Sequence, residues 1–265
     1  MINEFKQKIL QGQEIQLGTW MMTGSDTVAE AMATVGFDFL VLDQEHVPVD
    51  TLDAIRIDRA VRAISQHTIP LYRLAWNDPV LIKRALDGGA NSLMVPFVNT
   101  VEDARRAVDA SYYPPLGKRG FAAVHRASSY GSNPDFVRES REELCLILQL
   151  ETPEAIDNLE EIAKIEGITG FFIGPGDMSA AMGHIGQPSH PDVQAMIKKG
   201  LDKCRQLNMP CGIVGGTPEL ANKYQQMGFR FVALGSDMSY LMARAKEQLA
   251  AIRGISLTVS GGEVY

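Results

Sequence analysis

The sequence lacks the features that mark several large protein classes. Its 265 residues include three cysteines, Cys145, Cys204 and Cys211. The count is odd and no CxxC spacing occurs, so buried reduced thiols are expected rather than a disulfide framework or a cysteine zinc site. No apolar stretch is long and uncharged enough to span a bilayer. The opening "MINEFKQKILQGQE" is charged and has no apolar signal core, so export is not expected and the chain reads as cytoplasmic. Positive charge is scarce too. The net charge is −7, and the densest basic cluster is Lys118-Arg119 with Arg126, which argues against a nucleic-acid or anionic-membrane partner. Low-complexity segments are absent, and no GxGxxG follows the first apolar run, which disfavours a dinucleotide fold.

What is present is alternation. Short apolar runs are each followed by a helix-length segment: 14–22, 37–45, 69–74, 92–98, "CLILQLE" (145–151), 170–174, 211–216 and 229–237. A longer loop, 112–134, precedes the fifth run, helices are expected near 50–65 and 191–207, and a last helix runs to about Arg253. Asp78-Pro79, Thr152-Pro153 and Thr217-Pro218 each set an N-cap residue before a proline at the first helical position. Gly36, Gly88-Gly89, Gly167 and Gly228 stand where helices should stop. Eight such units in one chain predict an α/β fold, a single (β/α)8 barrel over residues 1–253 with parallel strands. The tail 254–265 loses helical pattern and is expected to be mobile.

In such barrels the chemistry gathers at the C-terminal strand ends. Asp43, Glu45 and His46 end the second run, Arg73 the third, and Gln149 and Glu151 the fifth; Asp177 follows the sixth, and Ser236 and Asp237 end the eighth. A buried charge is costly unless paired, so charges at so many ends of one kind point to a site. Glu151 and Asp177 come from adjacent strands; two close carboxylates repel unless protonated or bridged, and they suit a hard ion such as Mg2+ or Mn2+. A cap or a salt bridge for each acid is the plainer alternative. His46 is the one histidine at a strand end, and Asp43 is placed to orient its ring. Arg73 offers a fixed cation to an oxyanion, unless it serves only as a salt bridge to Asp43 or Glu45. Every lysine falls on a helix, in a loop or at the N-terminus, so no Schiff-base lysine is expected.

The stretches "FDFLVLDQEH", "RLAWNDPVLIKRALDGGA", "LMVPFVNTVEDARRAV", "YYPPLGKRG", "LQLETPEAIDNLEEI", "GFFIGPGDMSAAMG" and "PCGIVGG" resemble the HpcH/HpaI aldolase family, in family order from residue 15 to about 250. The resemblance implies reversible cleavage of 4-hydroxy-2-oxo acids to pyruvate (or a close 2-oxo acid) and an aldehyde, through an enolate stabilised by one divalent ion, Mg2+, Mn2+ or Co2+, with no organic cofactor. It assigns Glu151 and Asp177 to the metal, Gln149 to the substrate, His46 to the general base and Arg73 to transition-state stabilisation. The N–H groups of Gly176 and Asp177 receive the substrate carboxylate. It also implies a homohexamer, a trimer of dimers, in which Asp87 and loop 112–134, with Arg119 and Arg126, reach a neighbour's site and the last helix packs on a partner barrel. Gln44 and "FAAVHRASSYG" depart from the family pattern; Gln44 is expected to narrow or polarise the mouth, and His125-Arg126 to face the aldehyde.

Three other readings compete. A citryl- or malyl-CoA lyase shares the acid pair but needs basic nucleotide-binding loops that this acidic chain lacks. A non-catalytic barrel that binds small acids would have lost a base or a ligand, yet His46, Arg73, Glu151 and Asp177 are all present. "GIVGGTPELA" could cradle a phosphate at a helix N-terminus; without a second glycine-rich loop after the eighth run, Gly215-Gly216 is read as close backbone packing near the substrate.

Overall fold

The computed structural model describes residues 3–254; all of the tail 254–265 except Gly254 lies outside them. Eight strands alternate with helices: β1 (Gln16–Met21), β2 (Phe39–Asp43), β3 (Ile69–Arg73), β4 (Ser92–Val95), β5 (Cys145–Leu150), β6 (Gly170–Ile173), β7 (Cys211–Val214) and β8 (Phe231–Ser236). The helices are α1 (Glu4–Gln11), α2 (Asp26–Ala33), α3 (Thr51–Ile64), α4 (Pro79–Asp87), α5 (Val101–Ser111), α6 (Phe136–Glu143), α7 (Pro153–Ile162), α8 (Pro175–Ala181), α9 (Pro191–Gln206), α10 (Pro218–Met227) and α11 (Asp237–Arg253). Each strand pairs with its sequence neighbours in parallel, and β1 closes on β8, giving the expected (β/α)8 barrel with an additional C-terminal helix. The described residues contain no helix long and apolar enough to cross a membrane.

Local chemistry explains the strand-to-helix turns. Asp78, Thr152 and Thr217 cap α4, α7 and α10 through their side chains, each followed by proline. This satisfies first-turn N–H groups that have no acceptor inside the helix. Gly228 ends α10 at φ 104°, a left-handed value that glycine adopts without strain.

Period-two alternation divides the strand residues into two cores. One phase packs outward against the helices, with Leu40, Leu42, Tyr72, Leu146, Leu148 and Phe171 all buried. The other fills the barrel with Trp20, Val41, Leu71, Met94, Ile147, Phe172 and their neighbours. Here α1, which the strand pattern does not announce, acts as a plug. Its Phe5 and Ile9 are 1% and 0% exposed, and the Phe5 ring lies 5.0 Å from Phe39 and 5.6 Å from Phe231. The Asn3 side-chain amide anchors the plug by donating to Asn91 O, Ser92 Oγ and Glu143 O at 2.9–3.0 Å. All three cysteines are buried and free, and burial pushes the Cys145 thiol up to about 12.

Gly18 and Gly212 leave room for those rings: a Cβ on Gly18 would fall 2.4 Å from Phe39, and one on Gly212 2.1 Å from Phe231. At the phosphate-like "GIVGG", the close packing expected of both glycines belongs to Gly215 alone. A Cβ there would lie 2.5 Å from Val232 Cγ1 and 3.2 Å from Ala221, on the helical side of the sheet, whereas at Gly216 nothing lies within 4 Å. Overpacking predicts that Gly18→Ala destabilises the fold by about 1–3 kcal/mol, while Gly216→Ala stays within about 0.5 kcal/mol of the parent. Equilibrium urea unfolding of both variants checks the contrast.

Candidate active site

The barrel mouth is organised by β2 and β3, whose register sets Asp43 opposite Arg73. The Asp43 carboxylate, 0% exposed, accepts from Arg73 Nε at 3.0 Å and Nη2 at 2.6 Å. The guanidinium lies 4.2 Å over the Trp20 ring, and its Nη1 is 3.1 Å from Glu45 Oε2. Asp43 Oδ1 also accepts the backbone N–H groups of Glu45 and His46, at 2.9 and 3.2 Å. Asp43 therefore fixes Arg73 and the backbone turn that carries His46. Its contacts run to Arg73 and to this turn, and among the described residues no ion pair joins it to the His46 ring. His46 itself is exposed beside Glu45.

Opposite this pair, β5 delivers Gln149 and Glu151, each 1% exposed. Glu151 Oε1 accepts from Gln149 Nε2 at 3.1 Å, and Oε2 accepts the Phe97 N–H at 2.8 Å. Gln149 Oε1 is buried with no hydrogen-bond partner. Asp177, half-buried, stands in the first turn of α8 rather than on β6, with Gly174 as the residue before that helix. Gly174 presses on Glu151: a Cβ there would lie 2.9 Å from Glu151 Cγ and 3.0 Å from Oε1.

Four carboxyl groups, Asp43, Glu45, Glu151 and Asp177, thus share one mouth with one guanidinium. The crowding adds to burial at two of them, Glu151 and Glu45. Burial pushes the Glu151 carboxyl from an ordinary 4.5 up to about 8, with Glu45 and Asp177 adding repulsion and the Phe97 N–H and Arg73 opposing. Burial raises Glu45 also, against the attraction of Arg73 and His46. Such a cluster holds either protons or a cation. Its all-oxygen donor set fits a hard divalent ion, and the orphaned Gln149 Oε1 is a polar atom awaiting a partner in the same place.

Several residues that matter here escaped the sequence reading. Phe97 adopts φ 54°, a strained value for a residue with a side chain, and in doing so aims its N–H at Glu151. Gly174 clears the space that the carboxylate occupies, and Trp20 floors Arg73. The glycine in "FFIGPGD" was the one available signal; a left-handed phenylalanine leaves none.

Other expected residues lie elsewhere. Asp87 ends α4 on the opposite face of the barrel, where Arg119 Nη2 donates to it at 2.6 Å and His125 Nε2 stands 3.8 Å away. Arg126 donates to Gly88 O at 2.7 Å and pairs with the fully buried Asp58 at 2.8 Å. His125 Nδ1 accepts the Ser128 N–H, and the ring packs 5.0 Å from Phe136. Within their own barrel both residues lie at the face opposite the mouth, Arg126 held by Gly88 O and the buried Asp58 and His125 set beside Asp87 and Phe136; the expected reach of this loop is toward a neighbour's site. Gln44 is buried near the mouth residues of β2. It follows β2 directly, is 7% exposed, and its Nε2 is buried without a hydrogen-bond partner.

The raised pKa of Glu151 has a sign that can be measured. A folded pKa above the unfolded one favours folding below 4.5, and this contribution is lost as pH rises through about 8. The metal-free protein is expected to lose thermal stability across that window, and Glu151→Gln to flatten the loss. Thermal melts of chelator-treated protein over the window test this.

Comparison with known proteins agrees with the geometry. Residues 16–243 match the HpcH/HpaI aldolase/citrate lyase family. A 2-dehydro-3,6-dideoxy-6-sulfogluconate aldolase of Pseudomonas putida is 49% identical over 246 residues, 93% of this chain and 96% of that protein. A 4-hydroxy-2-oxo-heptane-1,7-dioate aldolase of Shigella sonnei is 40% identical over 266 residues, covering 100% of both chains. A solved HpcH/HpaI aldolase/citrate lyase family protein from Burkholderia cenocepacia superposes with a TM-score of 0.92 at 35% identity, over 95% of this chain and 99% of that one. The chain belongs to the HpcH/HpaI aldolase/citrate lyase family.

Proposed function

We propose that the protein is a divalent-metal-dependent aldolase that reversibly cleaves a 4-hydroxy-2-oxo acid to pyruvate, or a close 2-oxo acid, and an aldehyde. The observation that carries this is the cluster of four carboxyl groups around Arg73, with Glu151 raised to about 8 by burial. The named activities of the aldolase relatives support extending the reaction class to this chain. Glu151 and Asp177 hold the ion, Mg2+, Mn2+ or Co2+. When bound, it supplies Lewis-acid polarisation of the 2-oxo group.

The chain's own residues do the rest. The Gly176 and Asp177 N–H groups, in the first turn of α8, have no intrahelical acceptor and bind the substrate carboxylate. Gln149 holds Glu151 through Nε2 and presents Oε1 to the substrate. Arg73 cannot swing, being bonded to Asp43, paired with Glu45 and stacked on Trp20. It meets the charge that develops on the 2-oxo oxygen with a guanidinium already in place. His46, exposed on the rim, takes the 4-hydroxyl proton in cleavage and returns it in synthesis. Asp87 acts on a neighbouring copy's site in a homohexamer. The unpartnered apolar residues of α11 support assembly, with Leu241 60% and Ile252 87% exposed. A cytoplasmic location accords with this reading.

The test is pyruvate release from 4-hydroxy-2-oxo-heptane-1,7-dioate and shorter or sulfonated analogues, followed with chelator-stripped and metal-restored enzyme. Cleavage is expected to require added metal, and Arg73→Ala to lower kcat by roughly 10²–10³-fold, the range for losing one donor to a developing oxyanion. Metal-independent cleavage, or an Arg73→Ala variant with parental kcat, would refute the assignment.

A further inference from the structure

The turn that joins α8 to α9 carries a second set of metal-ligand side chains that aldol chemistry does not use. We propose that His184, His190 and Asp192 bind a borderline divalent transition ion of the Zn2+ or Ni2+ class, at a site separate from the carboxylate centre of the mouth.

Spacing is the first argument. One ligand atom from each residue lies within 4.8 Å of the other two. His184 Nε2 is 3.6 Å from Asp192 Oδ2, and His190 Nδ1 is 3.8 Å from the same oxygen. Donors at roughly 2.0–2.1 Å from a tetrahedral ion stand about 3.3 Å apart, so the approach still needed is small. The imidazoles stack at 3.6 Å and 14°. A rotation about each χ2, a soft torsion in histidine, turns both nitrogens toward one ion.

The backbone has already fixed this turn. His184 N–H donates to Ser179 O at 2.7 Å, Gln187 N–H to His184 O at 2.9 Å, and His190 N–H to Gln187 O at 3.0 Å. His190 Nδ1 accepts the Asp192 N–H at 3.3 Å, a long bond that an ion replaces. The positive end of the α9 dipole opposes a cation, and the Asp192 carboxylate offsets it. The side chains are 27%, 31% and 68% exposed, so water completes the shell.

Donor type separates the two sites. Imidazole nitrogens favour Zn2+, Ni2+ and Cu2+, while the oxygen centre at the mouth suits Mg2+ and Mn2+. The second ion ties the end of α8 to the start of α9. Ser179, which accepts from His184 N–H, donates its own hydroxyl to Gly176 O at 2.7 Å. An ion here therefore braces the turn that presents Gly176 and Asp177.

Isothermal titration of metal-depleted full-length protein with Zn2+ in excess Mg2+ tests the proposal, in the parent, in Glu151→Gln, and in Glu151→Gln combined with His184→Ala or Asp192→Asn. Glu151→Gln removes binding at the mouth, so failure of the aldolase reading does not affect the result. One equivalent of Zn2+ is expected to persist in Glu151→Gln. Outer-layer groups alone shift metal affinity about tenfold to a hundredfold, so loss of a direct ligand should weaken it by at least about tenfold. Absence of a Zn2+ equivalent in Glu151→Gln, or unchanged affinity in both double variants, overturns the proposal.

Discussion

Asp43 and Arg73 form a two-point ion pair sealed from water, with side chains 0% and 4% exposed. Removing one partner of such a pair strands a buried charge and costs about 3–5 kcal/mol, so the contact strongly constrains the top of the barrel. It also sets the site's geometry. The same Asp43 oxygen that takes Arg73 Nε holds the turn bearing Glu45 and His46, and Arg73 reaches Glu45 and rests on Trp20. A cation already pinned by two acids cannot neutralise two more. Glu45 and Asp177 add their repulsion to the burial that raises Glu151, and the proposed divalent ion would relieve it.

The two ends of the barrel divide the work. At the bottom, aromatic rings interlock around Phe5, and Arg119 and Arg126 clamp the long loop onto Asp87 and Asp58. At the top, polar groups are crowded, partly unsatisfied and backed by a strained Phe97. Strain and unmet hydrogen bonds are tolerated there because the layer below is closely packed.

Much of this was legible in the sequence because it rests on local rules. Continuous apolar runs followed by Asp-Pro or Thr-Pro announce a buried strand and the helix after it, and the polar residues just before those turns mark the mouth. What could not be read depends on long-range pairing. Nothing local distinguishes an Asp43 that orients a histidine from one that grips Arg73; the β2–β3 register decides it. Likewise nothing local pairs Arg119 and Arg126 with acids of their own chain, and only the fold brings the half-buried Asp87 and the buried Asp58 beneath them. No helix is announced for residues 4–11 in the strand pattern, and α1 makes sense only once the hollow between Phe39 and Phe231 is seen to need filling.

The most direct test of the central claim, that this mouth stabilises an enolate through a metal held by Glu151, needs no knowledge of the aldehyde. Pyruvate is incubated with the protein in D2O and the methyl proton signal is followed by NMR, metal-free, with Mg2+ or Mn2+, and with Glu151→Gln. The account predicts exchange that requires the metal and disappears in Glu151→Gln. Exchange of equal rate in the metal-free protein or in Glu151→Gln would contradict it.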